Sequence, residues 1–180
     1  AGDEPEGSGK FIAAVFRNPQ LTEAVEDLLE RRDGLILGIC NGFQALIKLG
    51  LLPYGRICDL DENSPTLTFN QIGRHMSRTV TTRVASVRSP WLAYSHPGDL
   101  HRVAVSHGEG RFIAPPELIR SLAARGQIAT QYVRPDGRPD GSTEHNPNGS
   151  MAAIEGITSE NGHIFGKMGH SERSGPHLMC

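Results

Sequence analysis

The chain has 180 residues, 37% of them hydrophobic and 21% charged, with a formal net charge of −2 and a pI near 6.5. That is the balance of one ordinary globular domain able to bury its own core, and its scattered Lys and Arg exclude the basic stripe of a nucleic-acid binder. No apolar run approaches the roughly 18 residues of a membrane span, the amino terminus lacks signal-peptide order, and the three cysteines are too irregular for a disulfide framework. A reducing, cytoplasmic setting is expected.

Residues 1–9 carry three Gly and a Pro and no initiator Met, so they read as a loop in a chain that begins inside a larger protein. Ser8-Gly9-Lys10 does not make a phosphate loop, because position 4 is Glu, position 11 is Phe and no strand precedes. Asn18-Pro19 is a capping pair. Apolar Leu21, Val25, Leu28 and Leu29 then recur at helical spacing as far as Arg32, and Asp33-Gly34 ends the helix. Leu35-Ile36-Leu37-Gly38-Ile39 is a short unbroken apolar run, the pattern of a strand buried on both faces in a parallel sheet. After a turn at Cys40-Asn41, a compact helix runs from Gly42 to Leu49 and stops at Gly50.

Further along, 79–87 and 102–106 are β-rich, Pro115-Pro116 opens a helix through Ala124, and strands are expected at 128–133, 151–157 and 163–168. The stretch 135–149 is dense in Gly, Pro, Asn and Asp and is expected to be an exposed loop. With no repeat and no linker, residues 1–180 read as one α/β layered domain with some antiparallel strands.

The chemistry concentrates at Gly38-Ile39-Cys40-Asn41-Gly42-Phe43-Gln44. Glycines two residues before and after a nucleophile, between a buried strand and a helix, form a nucleophile elbow; flanking side chains would collide, so Gly38 and Gly42 are both expected to be required. The turn puts the Cys40 sulfur at a helix amino terminus, which favours thiolate, and aims the Asn41 N–H at a developing oxyanion. The competing structural reading is a small buried Cys capping a core strand.

A thiolate needs a proton shuttle, and Gly169-His170-Ser171-Glu172 offers one. At a strand end, residues two apart share a face, so Glu172 can hold the His170 imidazole; an exposed polar chain end is the alternative. Cys58 and Cys180 lack glycine punctuation and read as a packed and a frayed thiol. His75, His96, His101, His107, His145, His163 and His177 show no metal-ligand spacing, so no metal is expected. His107, in Ser106-His107-Gly108-Glu109-Gly110, follows a strand at two glycines where backbone can approach a ligand, or where the chain merely turns. Asn146-Pro147-Asn148-Gly149-Ser150 can likewise grip a polar ligand or simply turn.

The elbow together with Gly169-His170-Ser171-Glu172 resembles the class I, triad-type glutamine amidotransferases. Asn18-Pro19, Ser64-Pro65-Thr66-Leu67, Asn70, Ser106–Phe112, Asn146–Ser150 and the terminal Arg173 of the second run extend the similarity to the glutaminase part of phosphoribosylformylglycinamidine synthases. The resemblance implies a three-layer, flavodoxin-like domain with a mostly parallel central sheet, and a Cys40-His170-Glu172 triad that releases ammonia from L-glutamine. It also implies a glutamine pocket formed by Asn41, Gln44, Ser106, His107, Gly108, Glu109 and Asn148. The ammonia would serve an ATP- and Mg2+-dependent synthetase part that turns formylglycinamide ribonucleotide into its amidine in purine synthesis.

In that family a first strand and a glycine-rich oxyanion loop precede the segment matching 1–9. The chain is therefore expected to be truncated at its start and, by itself, a weak glutaminase, since one missing oxyanion donor costs roughly 10²–10³ in rate. An upstream piece of the same protein is expected to restore the strand along the sheet edge. Another elbow-type cysteine hydrolase, or an inactive docking fragment, stays open at this point.

Overall fold

The computed structural model describes residues 8–173. The capping pair acts as expected: the Asn18 side chain accepts the N–H of Gln20 at 3.0 Å, and Pro19 takes the first position of α2 (Pro19–Glu26). A π-helical turn over Asp27–Arg31 prolongs it. Ser8 and Gly9, expected in a loop, instead open α1 (Ser8–Phe16). The rest of that expected loop, with His177 and Cys180, lies outside the described residues.

The order continues through β1 (Ile36–Ile39), α3 (Asn41–Leu49), a single turn α4 (Leu51–Tyr54), β2 (Thr66–Phe69), β3 (Met76–Val84), β4 (Leu100–His107) and β5 (Glu109–Ile113). It ends with α5 (Pro116–Ala124), β6 (Ile128–Tyr132), β7 (Ile154–Thr158) and β8 (Ile164–Lys167). Gly50 closes α3 in the left-handed conformation at φ 79°, which a residue with a Cβ adopts only at a cost.

Among the described residues six strands form one sheet in the order β1-β8-β7-β6-β3-β4, and β2 pairs with β5 in a separate ribbon. β1 and β8 run parallel, Gly38 opposite Gly166. The pairings β8/β7, β7/β6, β6/β3 and β3/β4 are antiparallel. The mostly parallel sheet expected from the resemblance is thus corrected to a mixed one among the described residues. A parallel neighbour needs a crossover, usually a helix; residues 159–163 are too few, and 85–99 and 133–153 contain only short 3₁₀ turns.

The main core lies between the helices and the sheet. Phe43, Ile47 and Leu49 of α3 meet Ile154, Ile157, Ile164 and Met168, with Phe112 and Leu67 of the ribbon and Leu122 of α5 closing it. Each large apolar side chain buried this way contributes about 1.5–3 kcal/mol. A second cluster, Val80, Val103, Val105, Tyr132 and Ala153, sits beneath the β3–β4 hairpin. The opposite face of β1 is less covered than its apolar run implies, since Leu37 remains 37% exposed. Among the described residues no helix is long and apolar enough to cross a membrane.

Candidate active site

The elbow is set by β1 and α3. At the end of β1 the Cys40 N–H donates to the carbonyl of Lys167 at 2.9 Å, and the Cys40 carbonyl accepts the N–H of Gln44 at 3.1 Å, the first hydrogen bond of the helix. Between these anchors Cys40 stands at φ 53°, ψ −107°, a conformation non-glycine residues avoid and one that costs about 1–3 kcal/mol. The two flanking glycines differ. A Cβ on Gly38 would stand 2.4 Å from Leu46 Cδ1 and 2.8 Å from the Gly42 carbonyl, so that glycine is required. A Cβ on Gly42 would meet nothing within 4 Å, which corrects the expectation that both are sterically needed. Strand and helix approach closely on one side of the elbow only.

Cys40 is 8% exposed and opens into a cleft of about 310 Å³ lined by Ile39, Cys40, Asn41, His75, Ser106, His170 and Arg173. Its Sγ lies 3.8 Å from the carbonyl oxygen of Ser106. Beyond β8 the chain carries His170 to the same cleft, where its N–H donates to the carbonyl of Ala104 in β4 at 2.8 Å. The His170 Nδ1 is 2.5 Å from Glu172 Oε1, in the 3₁₀ turn Ser171–Arg173. With the Nδ1 proton in that bond, Nε2 is the ring nitrogen left for chemistry in the cleft. Burial acts to raise the Glu172 carboxyl, but the hydrogen bond from His170, its own backbone N–H and the charges of His170 and Arg173 together hold it below its ordinary 4.5.

The expected pocket residues divide into a lining and a brace. Asn41 and Ser106 reach the cleft. Gln44 is buried behind it, donating from Nε2 to the Glu109 carbonyl at 2.7 Å. His107 is buried too, with Nδ1 3.0 Å from Asn70 Oδ1. Asn70 secures the whole turn: its Nδ2 donates to the His107 carbonyl at 2.8 Å and its backbone N–H to the Gly108 carbonyl at 2.9 Å. Glu109 is buried at the start of β5.

Asn148, expected at the ligand, is buried at 0% exposure. Its Nδ2 donates to the Gly110 carbonyl at 2.7 Å and the Tyr132 hydroxyl at 3.1 Å, while Oδ1 accepts the N–H and hydroxyl of Ser150 at 3.1 and 2.8 Å. Ser150 Oγ in turn accepts the N–H of Phe112 at 3.0 Å. The end of the supposed exposed loop is thus packed, because its amides replace water with backbone partners. Burial first, and the charge of Glu155 second, push the Tyr132 hydroxyl well above its ordinary value.

His75 was not singled out by sequence, yet it lines the cleft, its Nε2 3.0 Å from Ser106 Oγ. It arrives through pairing of β3 with β4, Ser77 opposite Ser106, which no local motif reveals. Arg173, named only within the resemblance, joins it there. No group of three or more His, Cys, Asp or Glu able to hold a metal occurs among the described residues.

Comparison with known proteins follows this geometry. The family model of the CobB/CobQ-like glutamine amidotransferase domain matches residues 1–179. The chain is 39% identical over 139 residues to phosphoribosylformylglycinamidine synthase subunit PurQ of Thermomicrobium roseum, covering 77% of this chain and 53% of that protein. It is 33% identical over 167 residues to the subunit of the same name from Aquifex aeolicus, covering 93% and 67%. The solved structure of PurLQS from Thermotoga maritima superposes with a TM-score of 0.67 at 27% identity, over 92% of this chain and 63% of that one. The matched region spans about half to two thirds of the length of these relatives. The fold is that of a glutamine amidotransferase, and the chain belongs to the CobB/CobQ-like glutamine amidotransferase domain family.

Proposed function

We propose that residues 1–180 act as one glutaminase domain that hydrolyses L-glutamine to glutamate and ammonia through Cys40, His170 and Glu172. The observation that carries this reading is the strained Cys40 at the start of α3, in one cleft with a histidine whose far nitrogen is held by a carboxylate. Cys40 gives its thiol proton to His170 Nε2 and its Sγ attacks the side-chain carboxamide carbon, while the Asn41 N–H receives the negative charge that moves onto the oxygen. The C–N bond breaks as His170 Nε2 gives a proton to the departing nitrogen, leaving ammonia and a glutamyl thioester. His170 then takes a proton from water, whose oxygen attacks the thioester; the C–S bond breaks and glutamate leaves. Glu172 fixes the imidazole and stabilises its cation in both halves. Ser106 lines the glutamine site, which the braced Gln44 and His107–Glu109 segment shapes from behind.

The ammonia goes to a synthetase partner that carries ATP and Mg2+ and converts formylglycinamide ribonucleotide to formylglycinamidine ribonucleotide in purine synthesis. Support comes from the PurQ relatives and the PurLQS neighbour. A reducing, cytoplasmic compartment suits a mechanism that needs the Cys40 sulfur in its reduced form. Labelling with an electrophilic glutamine analogue, with the synthetase partner present, tests the reading. Stoichiometric modification of Cys40, abolished in Cys40→Ala, is expected; modification of Cys58 instead, or of no cysteine, overturns it.

A further inference from the structure

The segment that brings His170 to the cleft is held by a side chain the chemistry above does not use. Glu155 in β7 is buried at 0% exposure. A carboxyl removed from water is costly unless its oxygens find donors, and both do. Oε1 accepts the N–H of Gly169 at 2.6 Å, and Oε2 accepts the hydroxyl of Thr130 in β6. The main-chain carbonyl of Glu155 accepts the N–H of Met168 at 3.1 Å. The three successive N–H groups of residues 168, 169 and 170 therefore end on the Glu155 carbonyl, the Glu155 carboxyl and the Ala104 carbonyl.

The placement has a backbone logic. The β7/β8 ladder pairs Thr158 with Phe165, Ile157 with Gly166 and Gly156 with Lys167, and the Met168 bond to Glu155 extends it. At Gly169 the chain leaves β7 for β4, and the Glu155 side chain supplies the acceptor at that changeover. A Cβ on Gly169 would lie 2.9 Å from Glu155 Oε1 and 2.6 Å from Val103 Cγ2, so the glycine lets the carboxyl and β4 come this close. Thr130 fixes the second oxygen, so the carboxyl is anchored at both ends.

We propose that Glu155 is a positioning residue for His170: by clamping Gly169 it sets where the imidazole stands relative to Cys40. This rests on the glutaminase reading. A displacement near 1 Å of a reacting group costs about 10²-fold in rate, so the clamp bears on turnover more than on binding.

The test compares wild type, Glu155→Ala, Glu155→Gln and Thr130→Val in the full chain assembled with its synthetase partner. Glutamine kcat and KM are measured, together with the proton NMR resonance of the His170 Nδ1–H bonded to Glu172. Glu155→Ala is expected to lower kcat by about 10²-fold with KM within about twofold, and to shift or abolish the resonance. Glu155→Gln, whose amide can still accept from Gly169 and donate to Thr130, is expected to restore kcat to within about fivefold and the resonance to its place. Thr130→Val removes one anchor and should lower kcat a few-fold; it decides the matter if Glu155→Ala does not fold. Wild-type kcat and an unmoved resonance in Glu155→Ala, or in Thr130→Val when the alanine variant is unfolded, overturn the proposal. So does an equal loss in the alanine and glutamine variants. If wild type itself hydrolyses no glutamine, the glutaminase reading fails, while the resonance still decides whether Glu155 positions His170.

Discussion

Cys40 and the His170–Glu172 pair reach one cleft by different routes. Cys40 is placed by contiguous chain: a strand, one strained residue and a helix, with Gly38 leaving no room for a Cβ beside Leu46 and the Gly42 carbonyl. His170 is placed by distant chain, since its N–H is held by Ala104, and the neighbouring turn at 107–110 is tied down by Asn70, Gln44 and Asn148. A locally built half should fail through the residue itself or its nearest glycine. An assembled half should fail through side chains far away in sequence.

The largest effect expected is from Cys40→Ala, which should lower glutaminase kcat by at least about 10³-fold, since the covalent route is lost. His170→Asn should cost roughly 10²–10⁴ in kcat, as for removal of a general acid–base. If Cys40→Ala leaves turnover intact, the elbow is not the nucleophile's seat and the contrast between the halves loses its meaning.

Stability measurements sharpen it further. Gly38→Ala forces a Cβ into Leu46 and the Gly42 backbone and should destabilise by about 1–3 kcal/mol in urea denaturation. Gly42→Ala, facing open space inside a helix, should be neutral or stabilising by up to about 1 kcal/mol. Asn148→Ala strands several buried partners and should cost about 1–3 kcal/mol although it does not touch the cleft. An Asn148→Ala protein as stable as wild type would mean that the brace is ornamental and the second half is as local as the first.

The smallest effect concerns Glu172. Its carboxyl titrates below 4.5 in the folded chain, so its stabilising contribution is complete above that value and disappears as pH falls through the depressed one. The stability difference between wild type and Glu172→Gln should therefore be present near about pH 6 and shrink as pH falls below 4.5 and through the depressed value. With the Glu172 side chain 50% exposed, solvent screening keeps that difference to a few tenths of a kcal/mol. A gap that widens in acid would reverse the assigned direction.

The same contrast governs what could be read from residues. The strand–turn–helix at Cys40, the cap at Asn18, the stop at Gly50 and the contact of His170 with Glu172 depend on neighbours within a few positions and are present, whereas the steric need expected at Gly42 is not. α1 was missed because its start is rich in glycine and its helix is secured by burying Ala13 against the core, a tertiary effect. The β2/β5 ribbon joins Leu67 to Phe112, too distant for a hairpin signal. β1, from the run Leu35–Ile39, pairs parallel with β8 as that apolar run implies, though Leu37 stays 37% exposed; the antiparallel pairings of β7, β6, β3 and β4 depend on which distant strands meet, which no single run specifies. Asn146 and Asn148 look like solvent-facing turn residues by composition; only the backbone groups they satisfy reveal them as interior.

The backbone of Cys40 has a consequence for selection. A residue held at φ 53° against its preference makes the elbow a place where thermal stability and turnover pull in opposite directions. Libraries of this chain sorted only for heat resistance should accumulate changes that let the turn relax and so silence the thiol. Libraries sorted for ammonia release should keep the strained turn and gather their gains in the brace behind it.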